Sequence, residues 1–288
     1  MEGILQNPTL YPKALTSSER DPSFKWHRYA HSPRSSQVFC ISAFGTLRNL
    51  TVGNRVLASL LYEAFPEIAT MGRPRKWTIS PECEDEDLLN ERGTRQPTSV
   101  DALCISSQEV ICIESKFVTD AAEGFGRCGQ AIRGDCAGYH GPGSDKKTGT
   151  SAWCRLEGWE AKRSPRLYWS LGKSYFRSET FERQSRGQAC PFAGPFYQLM
   201  RNFLFAAAMA ERDRKNFFGV LAICPEPSSG ALGSQVEKFR LEILLPEFHD
   251  RVKFLTYEIL VGHLRNVADP EADALAAFLE ERIQTICR

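Results

Sequence analysis

The feature that most restricts how this chain can fold is a pair of short apolar runs, the second of which ends in charge. Val100 to Ile105 is apolar apart from Asp101, and Ser106-Ser107-Gln108-Glu109 can turn. Val110-Ile111-Cys112-Ile113, rich in β-branched side chains, then runs directly into Glu114-Ser115-Lys116-Phe117. The pattern predicts a hairpin with a buried second strand. A buried strand does not end in a carboxylate and an ammonium unless they are paired or used. Residues two apart on a strand share a face, so Glu114 and Lys116 lie together, with Asp101 on the neighbouring strand. Two readings follow: a salt-bridged strand end leaving the core, or an anionic cage for a divalent cation with an ammonium beside it.

The rest of the chain gives this hairpin a setting. Residues 1–45 carry Pro, Ser and mixed charge without periodicity and read as an irregular arm. Val56, Leu57, Leu60, Leu61, Ala64 and Phe65 fall at helical steps, which predicts a helix from Leu47 to Phe65 ended by Pro66. Glu82, Glu84, Asp85, Glu86 and Asp87 make residues 81–98 read as a solvated acidic loop. Phe196 to Glu211 reads as a helix, Phe217 to Cys224 as an apolar strand, Pro225 to Gly233 as a loop and Val252 to Leu260 as another strand. Asp269 caps a last helix that has Pro270 at its first position. Strands between helices imply an α/β layered domain over 46–288, with an insertion at about 120–192.

Ser99-Val100-Asp101, the apolar hairpin and Ile113-Glu114-Ser115-Lys116 resemble the PD-(D/E)xK nuclease superfamily. Here Val100, not proline, precedes the aspartate. The resemblance implies a restriction-endonuclease-like core, a central mixed sheet flanked by helices. It implies Asp101 and Glu114 as ligands of Mg²⁺ or Mn²⁺ and Lys116 as the catalytic lysine. The Ser115 carbonyl is a natural further oxygen ligand. Some members add an acid from the first helix, for which Glu63 is the candidate beside a plain surface role. Gln198 is a candidate for orienting the lysine or a phosphate, and it shares a helix face with Asn202. The expected activity is hydrolysis of phosphodiester bonds in DNA by metal-activated water. DNA is preferred to RNA because the resembling family mostly cuts DNA.

The insertion differs in kind. Cys128, Cys136, Cys154 and Cys190 lie in glycine-rich or irregular sequence and could hold Zn²⁺ or an iron–sulfur cluster. No Cys-x₂-Cys pair occurs among them, so unlinked thiols are the competing reading. Between Lys146 and Arg186 ten Lys or Arg stand against four Glu. Trp153, Trp159, Tyr168, Trp169, Tyr175 and Phe176 are interleaved. This mixture suits phosphate neutralisation and base stacking, with Arg163, Arg166, Trp169, Lys173 and Arg201 as candidate contacts. It equally suits a small subdomain whose aromatics form its core.

Composition excludes little. The hydrophobic share of 42% permits a buried core, and a formal net charge of +1 leaves nucleic-acid binding to local patches. No apolar run suggests a membrane span and no signal peptide is evident, so an intracellular, cytoplasmic protein is expected. A homodimer is compatible with the sequence. The rival to a nuclease is a non-catalytic module that binds nucleic acid or is stapled by metal.

Overall fold

The computed structural model describes residues 2–70, 75–92, 97–117, 124–129, 166–182 and 190–286. A five-stranded sheet runs in the order β1 (Thr78–Glu84), β2 (Ser99–Ile105), β3 (Glu109–Ser115), β4 (Phe217–Cys224), β5 (Val252–Thr256). β1, β2 and β3 pair antiparallel, whereas β3–β4 and β4–β5 pair parallel. Every residue of β3 is buried, as its run of Val, Ile and Cys requires of a strand covered on both faces.

Seven helices matter here: α1 (Ser36–Cys40), α2 (Gly53–Ala64), α3 (Tyr168–Gly172), α4 (Tyr197–Arg212), α5 (Ser229–Ile243), α6 (Tyr257–Arg265) and α7 (Pro270–Ile286). One core lies between the sheet and α2, α6 and α7, joining Val56, Leu60 and Leu61 to Ile111, Ile113, Leu260 and Leu279. The other lies between the sheet and α4 and α5, joining Leu103 and Cys112 to Phe203, Phe205, Val236 and Phe239. Fully burying one such side chain contributes about 1.5–3 kcal/mol. The restriction-endonuclease-like α/β architecture expected from the sequence is therefore the one observed.

Several boundaries differ from expectation, each for a local reason. The predicted helix from Leu47 to Phe65 is broken: Thr46–Asn49 forms one turn and α2 begins only at Gly53. A Cβ at Gly53 would come within 1.8 Å of the Leu47 carbonyl oxygen, so the glycine permits the tight join. α2 does end ahead of Pro66, at Ala64 with Phe65 as its cap, and Pro66 then opens the further turn Pro66–Ala69. The strand expected to reach Leu260 ends at Thr256, and the chain continues as α6. The expected loop from Pro225 becomes helical from Ser229. Asp269 caps α7 as predicted, its Oδ1 accepting from the Glu271 and Ala272 N–H groups at 3.0 Å.

The N-terminal 45 residues are less irregular than they read. Val38, Phe39, Ile41 and Phe44 are wholly buried, and α1 passes into a π-helical turn at Ile41–Gly45. Phe39 stacks on Phe117, ring centroids 3.8 Å apart, and the Ser36 hydroxyl accepts from the Phe117 N–H at 2.8 Å. This packing sets α1 against the end of β3, immediately after Lys116.

Candidate active site

The antiparallel register fixes which residues face one another. Pro81 pairs with Ala102 and Cys83 with Val100, which leaves Glu82 opposite Asp101. The β2–β3 ladder runs to Ala102–Ile113, so Asp101 and Glu114 occupy its next rung. Three acidic residues on three adjacent strands thus meet at one level of the sheet.

At that level two strands change phase. Ala102 and Cys104 face the first core and Leu103 the second, yet Val100 also packs in the second. A strict two-residue repeat would put Val100 with Ala102, so the alternation slips at Asp101. β1 does the same between Ile79 and Cys83, and there Glu82 has φ of 50°. A left-handed conformation at a non-glycine residue costs on the order of 1–2 kcal/mol. Beyond the ladder, Asp101 Oδ2 accepts from the Ser115 N–H at 2.7 Å, so a side chain replaces a backbone acceptor. The strands fork around the carboxylates instead of closing over them.

β3 distributes its last residues between layers. Glu114 turns towards α4, where Oε2 accepts from Asn202 Nδ2 at 2.6 Å. Lys116 turns the same way and donates from Nζ to Gln198 Oε1 at 2.6 Å. Between them, Lys116 Nζ stands 2.9 Å from Glu114 Oε1, an ion pair whose angles fall short of a hydrogen bond. Ser115 faces the opposite layer, its hydroxyl 2.6 Å from the Tyr257 hydroxyl at the start of α6. Gly126 keeps Gln198 in place: its φ is 72°, and a Cβ there would come within 2.8 Å of Gln198 Oε1. The Phe125 carbonyl accepts from the Gln198 N–H at 2.8 Å, and the Phe125 ring lies 5.8 Å from the Lys116 ammonium.

The electrostatics are those of crowded like charges. Burial, then Glu114 and Glu82, push the Asp101 carboxyl well above the usual carboxylate range. Burial likewise lifts Glu82 to about 8, against the Gln37 amide and the Ser99 hydroxyl, which pull it down. Ser99 Oγ donates to Glu82 Oε2 at 3.3 Å, while buried Glu82 Oε1 has no hydrogen-bond partner among the described residues. A buried oxygen without a donor costs about 1–3 kcal/mol. His27 approaches from the N-terminal segment, its Nε2 3.7 Å from Glu82 Oε2.

These features fit a hard divalent cation. Mg²⁺ takes one or two carboxylates and keeps several waters, which matches Asp101 and Glu114 with the Ser115 carbonyl as a further donor. Among the described residues no three His, Cys, Asp or Glu side chains converge as a ready cage, so water would complete the shell.

The other expected residues fall elsewhere. Glu63 is half exposed on α2 and pairs with His263 of α6 at 2.8 Å, not with Asp101 or Glu114. Trp169 is buried against Phe181 and Phe192 and is a core residue rather than an open stacking face. Arg201 donates from Nε to Thr98 Oγ1 at 2.9 Å and lies 3.7 Å from buried Glu91. Arg166 lies 3.8 Å from the same carboxylate, so both arginines serve an internal cluster. Lys173 is exposed just past α3. Cys128 is buried, its N–H donating to the Phe192 carbonyl at 3.1 Å, and Cys190 packs against the second core. Arg163, Cys136 and Cys154 lie outside the described residues. The sequence reading missed Glu82, hidden in a run of five acids, and left Asn202 without a role; its four-residue step from Gln198 was the signal for it.

The fold is that of the restriction-endonuclease-like proteins. Over residues 2–282 the chain matches the family described as restriction endonuclease associating with ARP, and it belongs to that family. No curated protein and no solved structure matches it. Among the described residues no helix is long and apolar enough to cross a membrane.

Proposed function

We propose that this protein is a metal-dependent endonuclease that hydrolyses phosphodiester bonds in DNA, with Asp101, Glu114 and Lys116 as its catalytic set. The observation that carries the reading is the meeting of these three side chains at one fork of the sheet, with buried carboxylate oxygens that have no hydrogen-bond donor among the described residues. Family membership supports the nuclease class, and the geometry supports the assignment of residues.

A bound Mg²⁺ or Mn²⁺ supplies Lewis-acid polarisation of the phosphate and lowers the pKa of water. The protein's own part is positioning. Asp101 and Glu114 offer carboxylate oxygens to the cation, and Asn202 holds Glu114 by its other oxygen. Lys116 carries a positive charge where the phosphate gains negative charge, and Gln198 sets its direction. Glu82 places a third carboxyl at the same rung, held largely protonated by burial at neutral pH.

The test is incubation with single- and double-stranded DNA in Mg²⁺ or Mn²⁺, beside Lys116→Ala. Metal-dependent cutting that the variant loses supports the enzyme. Retention of DNA without any cutting identifies a binding module instead.

A further inference from the structure

The insertion and the helix after it were the expected place for nucleic-acid contacts, yet Arg166, Trp169 and Arg201 are turned inward. The structure offers another basic surface. From Pro22 to Tyr62 the sequence contains no Asp or Glu. Within that stretch Lys25, His27, Arg28, Tyr29, His31 and Arg34 are all exposed.

Buried side chains hold the backbone of this loop. Asn7 Nδ2 donates to the Ala30 and Ser32 carbonyls at 2.7 and 2.9 Å. Thr9 Oγ1 donates to the Pro33 carbonyl at 2.6 Å. Gln37 accepts from the His27 N–H at 2.7 Å and donates to the Lys25 carbonyl at 3.1 Å. Asn7, Thr9 and Gln37 are each at most 4% exposed. Their bonds satisfy carbonyls inside and leave the loop's side chains outside. Such preorganisation lowers the ordering cost of binding.

The loop is also anchored at the carboxylate fork. Lys25 pairs with Glu84, two residues past Glu82, and His27 lies 3.7 Å from Glu82 itself. Arg28 and Arg34 have no carboxylate partner among the described residues. The Arg28 guanidinium stands 5.3 Å from the Tyr29 ring centroid, and Tyr29 is 63% exposed. A cationic plane beside an open aromatic ring suits a phosphate followed by an unstacked base.

We infer that the loop from Lys25 to Arg34 grips the nucleic-acid strand next to the site of cleavage, Arg28 and Arg34 contacting phosphates and Tyr29 stacking on a base. The inference rests on the nuclease reading above and assigns the substrate surface that reading lacks. Positive charge at the rim, from Arg28 and Arg34, also offsets the repulsion between a polyanion and the acidic fork.

Binding is measured by anisotropy of a fluorescein-labelled single-stranded oligonucleotide in EDTA, so that nothing is cut, over a series of salt concentrations. Arg28→Ala and Arg34→Ala are each expected to weaken binding about tenfold and to reduce the salt slope by about one. Tyr29→Ala is expected to weaken binding about tenfold with the slope unchanged. Lys76→Ala serves as control: Lys76 is exposed ahead of β1, whose first residue pairs with the turn end of β2, away from the fork. All four residues are exposed, so none of the substitutions threatens the core. Wild-type affinity and slope in all three loop variants overturn the inference. If the wild type still cuts DNA in Mg²⁺, the nuclease reading survives that result; a wild type that neither binds nor cuts removes both.

Discussion

Two buried acidic places flank α4, and they are built on opposite plans. Glu91 is wholly buried and fully partnered. Its carboxylate takes the Tyr168 hydroxyl and the Thr98 N–H, with Arg166 and Arg201 at 3.8 and 3.7 Å. Among the described residues, the fork of Glu82, Asp101 and Glu114 has one ammonium for three carboxyl groups and leaves Glu82 Oε1 and Glu114 Oε1 without hydrogen bonds. The first arrangement ties the segment before β2 to α3 and α4. The second retains electrostatic cost in the folded protein, which a cation would relieve. Burial of an acid is therefore uninformative until its partners are counted.

Removing Glu91 should produce the largest effect on stability. Glu91→Ala leaves Arg166 and Arg201 without their shared carboxylate, and denaturant unfolding should show a loss of about 3–5 kcal/mol. A neutral result would mean that the two acidic places do not differ as described. Lys116→Ala should lower the rate of DNA cleavage in Mg²⁺ by about 10²–10³-fold, and it should also lower the metal-free unfolding midpoint, because the buried Glu114 carboxylate loses its ammonium. Equal cleavage in variant and wild type would break the assignment of the fork.

Next in size is a pH effect carried by Glu19, a second well-partnered acid. Burial pushes its carboxyl up, but Arg48 and Thr16 outweigh this and hold it at about 2. Its folded pKa is thus depressed, so its contribution is complete above about 4.5 and lost as pH falls towards 2. After discounting for solvent screening, about 1–2 kcal/mol should disappear in Glu19→Gln, and acid unfolding scans should lose that part of their slope. Glu82 carries the opposite sign. Its folded pKa is raised, so metal-free stability should fall as pH rises from about 4.5 to about 8, and Glu82→Gln should flatten that fall.

The smallest effect expected is a gain. Asp101→Asn removes one of the crowded charges and should raise metal-free stability by about 1 kcal/mol while abolishing stabilisation by added Mn²⁺. Melting curves with and without metal check both halves. A variant that is less stable without metal would mean that the Ser115 N–H bond to Asp101 outweighs the crowding of charges.

The hairpin and its charged end were legible because they are local: an apolar strand cannot carry Glu and Lys inward without consequence. The helix bearing Gln198 and Asn202 was legible for the same reason, since periodicity places both on one face. Glu82 was not. It sits in a tract of acids that reads as solvated, and only the register with β2 selects it from its neighbours. The N-terminal segment was misread because its order comes from distant partners: Asn7 reaches Ala30, and Phe39 reaches Phe117. For Trp169, Arg166 and Arg201 the sequence left a nucleic-acid surface and an internal core equally open, because composition cannot tell an aromatic core from an aromatic platform. α6 was lost inside an apolar stretch whose first five residues alternate as a strand.

The bonds from α4 to β3 have a geometric consequence. Two residues of strand rise about 6.6 Å, and four residues of helix rise about 6.0 Å. Glu114 and Lys116 are two apart on the strand, while their partners Asn202 and Gln198 are four apart on the helix, in reversed order. Strand and helix therefore act as two rulers with nearly matching graduations, lying side by side and read in opposite directions. A one-residue insertion between 198 and 202 would turn one of the two marks about 100° away, so both bonds could not form together. The length of that helical step is thus as much a specification of the site as the identity of the residues at its ends.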